Sequence, residues 1–390
     1  MLLGTARGLV GGGRILRCTA RRLASGGPST GEPLYDYHVP VLRDECLEYL
    51  QVKPGGVYVD CTLGGGGHTR AILNAGGSVI GFDQDPDAVA KASLVCKEFI
   101  DAGKLEIFQC NFRSFADVVL TKSALASARG GGGGGGGGGV DGILMDLGVS
   151  SHQINEPSRG FAFGADGPLD MRMSKGQAVG AGGITAATIV NEYSADALAN
   201  VLYDFGEETR SRQIAREIVS ARPLLTTGQL EQVISRITSW AQRPKVLARC
   251  FQALRIAVND EMGALDDALQ SAHRCLRPNG RLVVISYHSL EDRRVKRLMR
   301  PAEGGMGGMG DAAWNPLFKR AQAPTEEEVA RNRRARSAKL RVAERVDDRP
   351  ADEAAALERR GEARAKKSFL GKKQLRKLQE QEQEQEQAQA

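Results

Sequence analysis

The residues best placed for chemistry begin at a glycine run. The apolar stretch VYVDC (57–61) ends on Asp60 and Cys61, and Thr62, Leu63 and Gly64 to Gly67 follow it. Glycines let a backbone approach a ligand closely, and the N-terminus of the helix that follows favours polar or anionic groups. A second apolar stretch, SVIGF (78–82), leads to Asp83, 19 residues after Gly64. An acid about 20 residues past such a loop can accept hydrogen bonds from ribose hydroxyls. Dinucleotide and S-adenosylmethionine sites share this pair of features. The strict GxGxxG pattern fails because Thr69 stands where the third glycine belongs, which tilts the reading away from NAD. A tight turn beside a solvated Asp is the plainer alternative.

Two more strand ends carry candidates. After LEIFQ (105–109) come Cys110, Asn111 and Phe112. Phe112 could cover a base and Asn111 could contact its edge, or the two could be a core Phe and a turn Asn. After GILMD (142–146) comes LGVSSHQ. Ligands of open α/β sheets lie at the carboxyl ends of strands, so Asp146 and Gln153 point to the crevice of Asp60 and Asp83. Ser150 and Ser151 fit a helix N-cap equally well.

These residues require alternating strands and helices. Helical patterns cover His68 to Ala75, Asp87 to Ile100 and Glu261 to Cys275, with a later strand at RLVVISY (281–287). Strands separated by helices imply parallel βαβ units in a doubly wound sheet. Residues 185–257 differ, with helical patterns such as Asp196 to Tyr203 and Thr209 to Ala221 and few strand signals. They read as a helical insertion.

Bulk properties set bounds. The 390 residues suffice for two or three domains, and the net charge of +6 is compatible with a nucleic-acid partner. Seven scattered Cys and five His show no zinc-ligand spacing, so no metal site is expected, and the thiols read as reduced and buried. No apolar run is long enough to cross a bilayer. Residues 1–31 contain Arg7, Arg14, Arg17, Arg21 and Arg22 and no acid, the composition of an organelle transit peptide; a basic RNA-binding arm is the alternative. Ten consecutive glycines (130–139), a Gly/Met-rich stretch (301–310) and a Gln/Glu repeat (379–390) read as non-globular.

The runs HVPVL (38–42), DCTLGGGGHT (60–69), FDQDP (82–86), DGILMDLGVSSHQ (141–153), RGFAF (159–163), DGPLDMRM (166–173), FGEE (205–208), FQALRIAVNDE (251–261), SYHSLEDRRVKR (286–297) and NRRARSAKLR (332–341) resemble, in order, the RsmH (MraW) family. The resemblance covers roughly residues 36–345. It implies a class I S-adenosylmethionine-dependent methyltransferase fold, α/β with a doubly wound sheet and an inserted helical domain. The implied activity is N4-methylation of a cytidine in the decoding region of small-subunit ribosomal RNA. With the transit-like N-terminus, the location implied is a mitochondrion, or alternatively a chloroplast. Carried over by residue, Gly66, Gly67, His68, Asp83, Phe112, Asp146 and Gln153 are the implied cofactor contacts. Gly65, His152 and the ten-glycine run depart from the family pattern, all at loops.

The acceptor would be an exocyclic amine whose lone pair is delocalised into the ring. It needs alignment and hydrogen-bond acceptors. Candidates for that side are Asp146, Ser150, Ser151 and His288, the last alternatively a structural His in a strand-to-helix turn. Arg293, Arg294 and Lys296, and Arg334 and Arg336 within the basic run 331–345, are expected to contact phosphates. DGPLDMRM could form a lid or anchor the insertion.

The expected parts are a transit or disordered segment (1–33), the methyltransferase domain (34–172 and 258–345, the latter with a basic tail), the helical insertion (173–257) and a charged, partly disordered extension (346–390). The partner is small-subunit RNA or the assembling subunit, with no membrane. Competing readings are a catalytically weak assembly factor of the same fold and a class I methyltransferase with another substrate.

Overall fold

The computed structural model describes residues 40–128, 139–174, 183–299 and 314–346. The expectations for 1–33, for 301–310, for the extension past Val346 and for the glycine run apart from Gly139 lie outside the described residues.

Seven strands form one sheet: β1 (Val57–Asp60), β2 (Ser78–Asp83), β3 (Leu105–Gln109), β4 (Val140–Asp146), β5 (Leu276–Ser286), β6 (Trp314–Pro316) and β7 (Lys339–Arg345). Their order is β3-β2-β1-β4-β5-β7-β6. The first five are parallel, whereas β7 runs antiparallel to β5 and β6. β1 and β4 are apolar almost throughout because both faces of a parallel sheet are covered. The order reverses between β1 and β4, so their carboxyl ends open a crevice there. This is the doubly wound α/β fold that the strand pattern predicts.

Helices α1 (Arg43–Leu50), α2 (Gly67–Asn74), α3 (Pro86–Val95), α4 (Lys97–Asp101), α5 (Phe115–Thr121) and α6 (Ala124–Ser127) accompany the first strands. The single helix expected over Asp87 to Ile100 is two. Cys96 leaves helical geometry at φ −108° and ψ 20°, which turns Phe99 and Ile100 toward the core beside β3. α3 starts cleanly because Pro86 occupies its first turn and the Asp85 carboxylate accepts from Asp87 N–H.

After α7 (Ser151–Asn155), helices α8 (Ala186–Glu192), α9 (Ala195–Gly206), α10 (Ser211–Ser220), α11 (Thr227–Arg236) and α12 (Arg243–Asn259) build a second core. Leu202, Ile218, Ile234 and Leu254 are completely buried in it. Truncating any one to Ala costs about 2–5 kcal/mol. Phe161, Leu169 and Met171 pack into this core too, so the helical unit draws on chain well before residue 173. α12 runs on to Asn259, past the expected boundary at 257. α13 (Glu261–Cys275) then lays Leu265, Ala268, Leu269 and Ala272 on the sheet.

α14 (Ser289–Leu298) and α15 (Glu326–Arg331) complete the described helices. The basic tail expected over 331–345 is corrected here. Its second half is β7, with Leu340, Val342 and Ala343 buried. Its cations sit on an alternating strand, and Arg341 Nε donates to Asp292 at 2.7 Å.

Candidate active site

A cleft of about 660 Å³ opens at the carboxyl ends of β1, β2 and β4. Thr62, Gly64, Gly65, Gly67, His68 and Asp83 lie along one part of it. Phe112, Asp146, Ser150, Ser151, Gln153 and His288 lie along the rest. Twelve of the sequence candidates and their neighbours are thereby brought to one surface. Gly66 is not among the lining residues. At φ 84° it faces α3, where an added Cβ would stand 3.3 Å from Cys96 Sγ and 3.4 Å from Ala92 Cβ. At Gly66 the close packing of loop on helix requires glycine, while Gly64, Gly65 and Gly67 line the cleft.

Of the three strand-end acids expected at the crevice, Asp83 and Asp146 line the cleft, whereas Asp60 is buried outside its lining. Asp60 is buried, accepts from Thr69 Oγ1 at 2.7 Å and from Thr62 N–H at 3.1 Å. Burial pushes its pKa up, partly offset by the Thr69 hydroxyl and by His68. This explains Thr69: it stands where a dinucleotide loop keeps glycine because its hydroxyl ties α2 to β1. Asp83 accepts from Gly64 N–H at 2.8 Å and Asp85 N–H at 2.9 Å. Burial nevertheless raises its pKa to about 6, since two backbone donors do not replace a full hydration shell.

Asp146 ends β4. Its Oδ1 accepts from Tyr287 Oη at 2.8 Å, and its Oδ2 lies 3.5 Å from His68 Nε2. Its own N–H donates to Thr62 Oγ1 at 2.7 Å. The Tyr287 phenol is held well above its ordinary pKa by burial and by the Asp146 charge, so it remains a donor. An oriented carboxylate with a fixed hydroxyl beside it can accept hydrogen bonds from an amine.

Other candidates have structural duties. Ser150 caps α7, its Oγ accepting from Gln153 N–H at 3.2 Å. Gln153 returns Oε1 to Ser150 N–H at 3.0 Å and donates Nε2 to Asp85 at 2.9 Å, so both ends of its amide are engaged. Ser151 Oγ accepts from Arg334 Nη1. His288 caps α14, with Nδ1 3.4 Å from Glu291 N–H and Nε2 3.1 Å from Glu291 Oε1. Burial would raise the Glu291 pKa, but the bond to His288, its charge and Tyr287 N–H hold it below the usual range. Asn111 caps the turn that carries Phe112 and donates to Gln84 at 3.1 Å.

The residues proposed for phosphate contact divide. Arg293 pairs with Glu207 at 2.7 Å and Arg294 with Asp266 at 3.2 Å. These carboxylates join α14 to the C-terminal end of α9 and to α13 and compete with any phosphate. Lys296 and Arg336 are exposed. Arg334 reaches into the cleft, bonding Ser151 and, at 3.2 Å, Asn155.

Several residues at the site carried no assignment from sequence. Arg159 is 4% exposed and donates to Asp85 Oδ2 at 2.8 Å and to the carbonyls of Arg172 and Met173 at 3.1 Å each. It ties the loop after β2 to the DGPLDMRM segment, whose Met173 lines the cleft. Asn259 holds the same segment through Met173 N–H at 2.7 Å and Met171 O at 2.8 Å. That segment thus anchors the helical unit and shapes the cleft. Arg255 grips Glu261 with bonds of 2.7 and 2.9 Å and also lines the cleft. The available signal is an arginine beside or within an apolar stretch: Arg159 at the head of RGFAF, and Arg255 between Leu254 and Ile256.

Among the described residues no cluster of His, Cys, Asp or Glu has the arrangement of a metal site, and no helix is long and apolar enough to cross a membrane.

Comparison with known proteins follows the same lines. The model of the MraW methylase family matches residues 36–346. Ribosomal RNA small subunit methyltransferase H of Granulibacter bethesdensis is 42% identical over 342 residues, covering 83% of this chain and 96% of its own. The protein of the same name from Deinococcus deserti is 46% identical over 315 residues, covering 79% and 93%. Among solved structures, an rRNA methylase from Streptococcus thermophilus aligns over 78% of this chain and 94% of its own, at 10% identity and a TM-score of 0.33. The chain belongs to the MraW methylase family, and its architecture is that of a class I S-adenosylmethionine-dependent methyltransferase.

Proposed function

We propose that the protein transfers the methyl group of S-adenosylmethionine to the N4 amine of a cytidine in the decoding region of small-subunit ribosomal RNA, within an organelle. Its relatives are named as small-subunit ribosomal RNA methyltransferases. The observation that carries the chemistry is the Asp146 carboxylate in the cleft, held by the Tyr287 hydroxyl with His68 Nε2 3.5 Å away.

The residues present fit the cofactor. The cleft volume falls in the range of about 300–1,000 Å³ usual for small-molecule sites. Asp83 is a carboxylate short of donors, as its raised pKa attests, and ribose hydroxyls would supply them. Gly64 and Gly65 present bare backbone, while Phe112, Leu147 and Met173 offer apolar walls for a base. Once bound, the cofactor brings a methyl group already activated on a sulfonium, so no metal is required.

The chain's own work is to prepare the amine. Asp146 accepts a hydrogen bond from N4, which localises the lone pair and points it into the cleft. Tyr287 holds the carboxylate in that orientation. The amine must shed a proton, and the Asp146 carboxylate is the acceptor at hand. His288, engaged by Glu291, is a positioning group for α14 and Tyr287. Good alignment is worth up to about 7–11 kcal/mol of barrier. A cytidine must leave its stack to reach this depth, which costs only a few kcal/mol in single-stranded RNA.

Asp146→Asn keeps the shape and removes the basicity. Turnover at saturating cofactor should fall by about 10²-fold or more, with cofactor affinity measured separately so that a loss of binding is not read as a loss of chemistry. Unchanged turnover would remove Asp146 from the chemistry. For the substrate, nucleosides of organellar small-subunit RNA are compared by mass spectrometry with and without the protein. Loss of N4-methylated cytidine supports the reading; its persistence refutes it. The organelle is supported by the five arginines and absent acids of residues 1–31. Residues 1–33 fused to a fluorescent reporter should direct it to mitochondria or plastids, and a cytosolic reporter would refute that.

A further inference from the structure

Trp240 is 83% exposed, the most open large apolar side chain among the described residues. It sits in the turn between α11 and α12, outside the cleft. A buried Trp serves packing. A Trp this open costs solvation and returns none of it within the fold. The chain around it is one-signed: from Gln232 to Asn259 there are five cations (Arg236, Arg243, Lys245, Arg249, Arg255) and no acid.

The cations are not equivalent. Arg249 leans on Glu208 at 3.4 Å and Arg255 is committed to Glu261. Arg243 donates to the Ser235 carbonyl at 3.4 Å. Arg236 and Lys245 are exposed and face no carboxylate within salt-bridge distance among the described residues. An exposed aromatic with uncommitted cations close by in the chain, here Arg236 four residues before it and Lys245 five after, has the makings of a single-stranded nucleic-acid contact: bases stack on the ring while phosphates meet the cations.

Its position links it to the reaction. α12 runs from this turn directly to the cleft, where Ala248, Gln252 and Arg255 form part of the lining. Arg243 to Ala248 spans about 8 Å along the helix axis. A strand whose target base enters the cleft can therefore pass its neighbouring nucleotides over Trp240. We propose that Trp240, with Arg236 and Lys245, is a stacking platform for the single-stranded RNA that flanks the target cytidine. This rests on the RNA-methylation reading above and adds to it a second, sequence-tolerant contact area on the helical unit.

The protein supplies its own probe. It has two tryptophans, and the other, Trp314, is buried at 5% exposure. The full chain is titrated with a single-stranded RNA of about 12 nucleotides carrying one central cytidine. Saturable quenching of the exposed, red-shifted Trp emission is expected. Trp240→Ala should weaken binding about tenfold at every salt concentration and leave the salt slope unchanged. Trp240→Phe should retain most of the affinity while the quenching disappears. Arg236→Glu with Lys245→Glu should flatten the slope of log K against log salt by about 1.4, since each phosphate contact on a single strand contributes about 0.7. Wild-type affinity in Trp240→Ala overturns the platform, including the case where Trp240 instead holds a ribosomal protein. Absence of any RNA binding by the wild-type chain overturns the RNA reading itself, and the platform with it.

Discussion

Arg159→Met tests whether the cofactor loop is held from behind. The guanidinium is 4% exposed, and the Asp85 carboxylate it bonds at 2.8 Å is equally enclosed. Removing the cation strands that carboxylate with two neutral donors, Gln153 Nε2 at 2.9 Å and Asp87 N–H at 3.1 Å. It also orphans the carbonyls of Arg172 and Met173. Breaking one partner of a buried pair costs about 3–5 kcal/mol. Urea unfolding should report a loss of that size. Cofactor affinity, measured by calorimetry on the folded fraction, should fall as well, because Asp83 bonds Asp85 N–H and Met173 lines the cleft. The double variant Asp85→Asn/Arg159→Met removes the stranded charge and should cost less than the sum of its parts by about 1–3 kcal/mol. A loss below about 1 kcal/mol in Arg159→Met, or strict additivity in the pair, would refute the idea that this ion pair clamps the loop.

Asp83 gives a pH signature. Its folded pKa of about 6 lies above its ordinary 3.8, so its contribution to stability of the ligand-free protein is complete below pH 3.8 and is lost as pH rises through 6. On the proposed contact between charged Asp83 and the cofactor's ribose, cofactor binding should weaken up to tenfold per pH unit below about 6, and Asp83→Asn should flatten that profile in calorimetry from pH 5 to 8. Burial pushes Cys250 and Cys275 to about 12 and Cys96 to about 11. Iodoacetamide at pH 8 followed by peptide mapping should find these three unmodified and Cys110, half-buried, modified; labelling of Cys250 in native protein would contradict the packing of the helical core. Charge reversal separates the two halves of the basic run. Arg336→Glu should flatten the salt dependence of RNA binding, whereas Arg341→Glu, facing Asp292, should lower the melting temperature by several degrees; the opposite pattern would return β7 to the role of a basic tail.

Periodicity and punctuation made most of the sheet legible. β1 to β4 and α13 follow from runs of aliphatic residues and from helical spacing, which are local properties, and Asp60, Asp83 and Asp146 follow from their places at strand ends. The split at Cys96 and strand β7 did not follow. A one-residue departure from helical φ and ψ leaves almost no trace in composition, and the alternation of Leu340 and Val342 is masked by the cations Lys339 and Arg341 beside them.

The sequence by itself determined the family, the class of fold and the places of Asp83 and Asp146 at the cleft, because long collinear motifs and strand-end acids are read along the chain; that Asp60 is buried outside the lining it did not show. Only the tertiary structure decided what each polar group does. Ser150 and His288 spend their hydrogen bonds on helix caps, Gln153 on Ser150 and Asp85, Arg293 on Glu207, and Gly66 on the close approach of α3. Tyr287 and Arg159 entered the site only when β5 and the segment after α7 were brought beside β4 and β2. The physical reason is the same throughout: a buried polar group must find a partner, and its partner is set by proximity in space, across 141 residues for Tyr287 and Asp146 and 74 for Arg159 and Asp85, which spacing along the chain does not encode.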